Sequence, residues 1–138
     1  MLSFGYILLA NEAVAACEIA GLDPFLGFLY ATRRGRPSLA LDLMEELRPV
    51  LVDATVVRLA RTGQVTPADF TSVEGGCRMT DPARHAFLTA YETRLLTLVH
   101  HLAEQRRVPW RQAIAVQAHQ VAAVVTGRLP DDRPVIWR

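Results

Sequence analysis

The sequence predicts one all-α domain of about five helices with at most one small β-hairpin. Three observations lead there. Apolar residues recur at helical spacing in segment after segment, and Gly21, Gly63, Gly127 and Pro49 stand where those segments should stop. The balance of 51% hydrophobic to 21% charged residues, with 8 Gly and 8 Pro, is that of a globular chain. At 138 residues there is length for one real core and too little for two ordinary domains.

The elements follow in order. LSFGYILLANEAVAACEIAG reads as a well-buried helix stopped by Gly21. It begins at Met1 with no Ser, Thr, Asp or Asn cap in front of it, which is the start expected of a fragment. The run GLDPFLGFLYATRRGRP, rich in Gly, Pro and Arg, reads as a long irregular connection, and long connections in compact domains tend to be functional. Ser38 is then expected to cap SLALDLMEELR, a short helix ended by Pro49. VLVDATVVRLARTG offers an apolar face from Val50, Val52, Val56, Val57 and Leu59, with Arg58 and Arg61 outside it.

Thr66 followed by Pro67 predicts a single helical turn, and SVEGGCRMT a small hairpin around Gly75 and Gly76. The longest predicted helix is DPARHAFLTAYETRLLTLVHHLAEQ. Asp81 is its cap, and Phe87, Leu88, Tyr91, Leu95, Leu98 and Leu102 its buried stripe. A last helix, WRQAIAVQAHQVAAVVTG, ends at Gly127, and the tail LPDDRPVIWR is expected to be extended.

Composition excludes several classes. A net charge of +1 demands neither a nucleic acid nor a membrane as partner. All 15 basic residues are arginine, whose planar fork suits phosphate and carboxylate, so phosphate recognition stays open. Cys17 and Cys77 have no partner spacing of the disulfide or zinc kind. The first twenty residues carry Asn11, Glu12 and Glu18 and lack a basic start, so neither a signal peptide nor a membrane span is expected. A soluble cytoplasmic protein is the expectation. Ser3 and Ser38 have no His/Asp pattern around them, and no Gly-rich phosphate loop is present. His85, His100, His101 and His119 fall on the later predicted helices without a shared ligand spacing and read as structural. Trp110 and Trp137 are packing or interface candidates.

The chemistry concentrates in Asp42, Glu45 and Glu46, acids in an otherwise apolar short helix. Positions 42 and 45 are one turn apart, so both carboxylates can face one point. A hard divalent ion such as Mg²⁺ or Mn²⁺ takes oxygen donors of this kind, and such an ion can activate water or offset charge at a phosphate. The same acids also suit a plain solvated face, with Glu45 and Glu46 paired to Arg48 or Arg36 and Asp42 favouring the helix start. Spacing alone leaves both readings standing.

The run GLDPFLGFLYATRRGRPSLALDLMEELRP, residues 21–49, closely resembles the G-L-D-P-x-x-G-F-L-H and R-x-G-R-x-S-L-A-L-D-L-M-E-E-F-R-P stretches of the CRISPR-associated spacer-acquisition endonuclease. LSFGYILLANE, GGCRMTDPARHAFLTAYETRL and the final Gln-containing helix extend the resemblance over nearly the whole chain. It implies the helical, metal-holding carboxyl-terminal domain of an enzyme that cleaves DNA and joins captured ends into the CRISPR array. The implied cofactor is Mg²⁺ or Mn²⁺. The implied partners are DNA, a second copy of the protein and the small CRISPR-associated nuclease of the acquisition complex, with no membrane. Carried over, Glu45 is the acidic ligand, Asp42 its neighbour, and Tyr30 fills the place of the family's His. A neutral phenol, losing its proton only near pH ~10, is a poor substitute for imidazole. The family's upstream Glu ligand and its β-rich amino-terminal domain have no counterpart in residues 1–138, so this chain alone is expected to be inactive as a nuclease. Arg33, Arg34, Arg36 and Arg48 flank the acidic helix and are the candidates for gripping DNA phosphates.

Two alternatives remain. One is an inactive DNA- or subunit-binding module of the same lineage. The other is a helix-turn-helix regulator built on the Arg58-bearing helix, for which the following segment is short.

Overall fold

A computed structural model describes residues 1–27, 36–130 and, as backbone, 135–136. Among them are five α-helices: α1 (Leu2–Ile19), α2 (Ser38–Glu45), α3 (Ala54–Arg61), α4 (Asp81–Leu96) and α5 (Trp110–Val125). Two antiparallel hairpins accompany them. β1 (Phe70–Val73) pairs with β2 (Gly76–Met79), and β3 (Leu98–His101) pairs with β4 (Arg106–Pro109). A short β5 (Val135–Ile136) lies on the other edge of β3, giving the order β4-β3-β5. The expected helical character and helix count hold, while the limit of one hairpin does not.

α1 is the central element. Its 18 residues are long and apolar enough to cross a bilayer by length and composition, yet Leu9, Ala13, Ala16 and Cys17 are buried against α2, α5 and the turn before α3. Small residues on this face let the neighbouring elements come close. Gly5 is the extreme case: a Cβ there would lie 2.5 Å from Val52 Cγ1 and 2.8 Å from Phe87 Cζ. Around that contact Phe87 meets Phe4 edge-on at 5.7 Å and stacks on Tyr91 at 6.0 Å, as expected of core aromatics.

Pro49 does not simply end α2. α2 stops at Glu45, and the chain then winds through a π-type turn, Arg48–Asp53, with Pro49 near its start, before α3 begins. A proline is tolerated there because the first N–H groups of a helical turn have no internal partner. The turn buries Val50, Leu51 and Val52, and Thr55 Oγ1 donates to the Leu51 carbonyl at 2.7 Å. Val57, expected on the buried face, is half exposed.

The expected long helix breaks at Thr97, which turns extended (ψ 144°) and donates its hydroxyl to the Arg94 carbonyl. Residues 98–101 then form a strand, with Val99 opposite Val108 and His101 opposite Arg106. Leu98 therefore leaves the predicted stripe and lies 60% exposed, while Phe87, Tyr91 and Leu95 stay buried as expected. His100 and His101 sit on β3 and not on a helix, and alternation sends only His101 inward.

The caps differ in detail. Ser38 is inside α2, whose cap position is Pro37, and Thr80 rather than Asp81 caps α4, accepting from the Ala83 N–H. The turn at 67–69 carries a reciprocal Thr66/Asp69 capping box, and those hydrogen bonds hold the Asp69 carboxyl below its usual range. After α3 the chain enters this turn and the β1–β2 hairpin. No second helix follows α3 directly, so the helix-turn-helix alternative fails.

Candidate functional site

α2 buries Leu39, Ala40, Leu43 and Met44 and leaves Asp42 and Glu45 on its partly exposed side. That division follows from the 3.6-residue repeat: positions 42 and 45 lie about 60° apart around the axis, away from the Leu39/Leu43 stripe. The two acids thus share a face, as their spacing predicts. Glu46, the residue just past the end of α2, is exposed.

Asp42 borders the irregular connection. A Cβ on Gly27 would sit 3.0 Å from Asp42 Oδ2 and 2.4 Å from Ser38 Cβ, so the chain before residue 28 runs hard against the first two turns of α2. Only glycine permits this approach. The segment is tied down by the Leu39 N–H donating to the Pro24 carbonyl at 2.9 Å and the Phe25 N–H donating to Asp23 Oδ1. Tyr30, Arg33 and Arg34 lie outside the described residues. Arg36 is partly buried at the entry to α2, where its carbonyl accepts from the Ser38 N–H at 2.8 Å.

Glu45 is engaged by its own helix end. Arg48 Nη1 donates to Oε1 at 2.9 Å and to Oε2 at 3.1 Å. The Arg48 guanidinium lies 4.4 Å above the Tyr6 ring, a cation–π arrangement, while its buried Nε has no hydrogen-bond partner. Tyr6 donates its hydroxyl to Asp53 Oδ1 at 2.7 Å, and that bond, with burial, raises the phenol above its ordinary pKa. Tyr6, on α1, was not singled out by the sequence. Its only signal was a phenol in an apolar helix at a position now seen to face Arg48. Arg48 itself, a phosphate candidate from sequence, is committed to Glu45 and Tyr6.

Two carboxylates on one face are the right kind of donor for a hard divalent ion. Their number falls short. Among the described residues no group of three or more His, Cys, Asp or Glu side chains comes together, and the Arg48 guanidinium already neutralises Glu45. The described residues do not by themselves fit a resident ion, so no chemical step is derived through one.

Residues 1–93 match the family model described as "CRISPR associated protein Cas1". The chain belongs to the Cas1 family. Over all 138 residues it is 42% identical to CRISPR-associated endonuclease Cas1 3 of Thermus thermophilus, of which it covers 42%. It is 36% identical to CRISPR-associated endonuclease Cas1 of Leptospira interrogans, covering 54%. The chain thus spans about half or less of the length of these Cas1 relatives. Among solved structures, a casposase bound to integration product superposes with a TM-score of 0.86 at 26% identity, over 95% of this chain and 38% of that one. A CAS1 protein from Thermotoga maritima gives 0.83 at 29% identity, over 92% and 39%. A Cas6-RT-Cas1–Cas2 complex, at 22% identity and a TM-score of 0.75 over 93% of this chain and 14% of that one, shares the fold.

Proposed function

We propose that these residues are the helical domain of a DNA endonuclease and integrase that inserts spacers into CRISPR arrays as a defence against foreign DNA. The observation that carries this reading is the 42% identity across the whole chain to an endonuclease of the Cas1 family. The casposase neighbour, bound to its integration product, supports DNA as the substrate. In this reading α2 presents Asp42 and Glu45 to the reacting phosphate region, with Mg²⁺ or Mn²⁺ as the ion and Tyr30 in the place of the family's His. The remaining ligands come from parts that relatives have and residues 1–138 do not contain. Arg33, Arg34 and Arg36 supply phosphate contacts, whose role is to position a strand and not to read its bases. A second copy, the small partner nuclease and a cytoplasmic location belong to the same proposal.

The test is a nicking and strand-joining assay on branched DNA. It uses the chain alone and the chain joined to the additional length that its relatives carry. Joining that needs Mn²⁺ or Mg²⁺ and is abolished by chelation supports the reading; joining indifferent to chelation rejects the metal-dependent mechanism.

A second reading is favoured by one contact. With both Glu45 oxygens on Arg48 and tyrosine in place of a His ligand, the domain is a catalytically silent module that binds DNA or a subunit. DNA binding without joining, in both forms of the protein, would select it.

A further inference from the structure

α3 and α4 run antiparallel and leave a groove between them. Two adjoining hollows of about 160 and 170 Å³ lie along it, sharing Arg58 and Ala90. Ala86 and Ala90 floor it, and Arg58, Arg94, Thr89 and Thr93 stand along it; no carboxylate lines either hollow among the described residues. Arg58 has no hydrogen bond or ion pair from its guanidinium among the described residues.

Arg94 is held in place without being neutralised. Its Nε donates to the Val50 carbonyl at 3.0 Å, and its guanidinium lies 5.8 Å from the centre of the Trp110 ring. Neither contact cancels its charge, and the order they impose reduces what a ligand must supply in entropy. Two uncompensated guanidiniums on one hollow, with Thr89 and Thr93 lining the next, call for an anion that repeats along the groove.

We infer that the α3–α4 groove takes the sugar-phosphate backbone of a DNA strand, held without regard to sequence. From Ala86 to Arg94 the groove runs eight residues of helix, about 12 Å. Phosphates advance about 3.4 Å of duplex axis per nucleotide and lie roughly twice that apart along the strand itself, so the groove is long enough for about two. An isolated carboxylate would use one arginine and leave the other unmatched. The site is also connected to the end of α2: Val50, which holds Arg94, lies in the turn that begins with Arg48, the residue gripping Glu45. This inference rests on the DNA reading above and assigns that function further residues, on α3 and α4.

The experiment is fluorescence anisotropy with labelled DNA of two unrelated sequences, over a range of salt. It compares the chain with Arg58→Gln and, as a control outside the groove, Arg128→Gln. Arg58→Gln should weaken binding roughly 3–10-fold on both sequences and lower the salt slope by about one, while the control stays within about 2-fold. A nitrogen-detected titration of the unaltered chain removes any dependence on variant folding. DNA should shift the Arg58 Nε–H and the Thr89 and Thr93 amides. If DNA binds but Arg58→Gln changes nothing and these signals stay still, the groove proposal falls and the DNA reading stands. If the chain binds no DNA even at low salt, both fall. If polyglutamate shifts these signals and DNA does not, the groove serves an acidic protein and the proposal is overturned.

Discussion

Arg48 Nη1 lies 2.9 Å from one carboxylate oxygen of Glu45 and 3.1 Å from the other, so a single guanidinium caps the acid that the Cas1 pattern assigns to metal. Both side chains are about one-third exposed, and water weakens the pair. An exposed ion pair is worth about 0.2–1 kcal/mol. It competes with a cation for Glu45 and does not forbid one. Tyr6 strengthens the arrangement by holding the guanidinium from below.

In the protein carrying its relatives' full length, Arg48→Gln should therefore tighten Mn²⁺ binding, by up to about 5-fold if the pair is worth the upper end of that range. Calorimetric titration of both proteins checks it. Equal affinities would mean that Arg48 does not compete for the carboxylate.

Gly5→Ala should destabilise the fold. Alanine is the better helix former by about 1 kcal/mol, but its Cβ would lie within 2.8 Å of both Val52 and Phe87, and overpacking of this kind costs about 1–3 kcal/mol. Packing wins because these neighbours are themselves buried. Urea unfolding should show a lower midpoint; a raised midpoint would mean the core yields freely.

Stability should fall in mild acid because of His101. Its ring is fully buried and neither nitrogen has a hydrogen-bond partner. Desolvation lowers its pKa, only partly opposed by Glu104 and reinforced by His100. Above about pH 6.5 the ring is neutral in both folded and unfolded chains, and it adds no pH dependence. As pH drops through that value the unfolded chain takes up a proton that the fold resists, so stability declines by at most about 1.4 kcal/mol per pH unit until the folded pKa is reached. Unfolding midpoints between pH 7.5 and 5 should fall less steeply in His101→Phe than in the parent. Identical slopes would assign the acid sensitivity elsewhere.

The two cysteines should separate cleanly toward a thiol reagent. Cys17 is buried in α1 and desolvation pushes its thiol up to about 11, whereas Cys77 on β2 is exposed. One thiol should react in the native chain and two after denaturation. Rapid labelling of both in native buffer would show that α1 opens readily.

The helices were legible because each carries its own apolar stripe and stop signal, and residues 21–49 were legible as a pattern. What failed was non-local. Nothing local to TLVHH distinguishes more helix from a strand; Val99 becomes strand because Val108, nine residues on, pairs with it. Likewise, Pro49 looks like a terminator until the π-type turn buries Val50, Leu51 and Val52 against α1 and α4. At the site, the shared face of Asp42 and Glu45 follows from spacing. Tyr6 and Asp53 join the cluster only through tertiary packing, 47 residues apart. Arg94 carries no local signal, because what leaves its charge uncompensated is tertiary: no carboxylate lines the α3–α4 groove among the described residues.

The central claim is that Glu45 belongs to a reacting site and not to a solvated helix face. Its neighbour Glu46 supplies the control, sharing its chemistry but standing just past the end of α2 and exposed. The deciding measurement is the rate of Mn²⁺-dependent strand joining by the protein carrying its relatives' full length, with Glu45→Ala compared against Glu46→Ala. The account predicts a loss of roughly 100-fold or more for the first and a change within about 2-fold for the second. Equal rates in the two variants would contradict it.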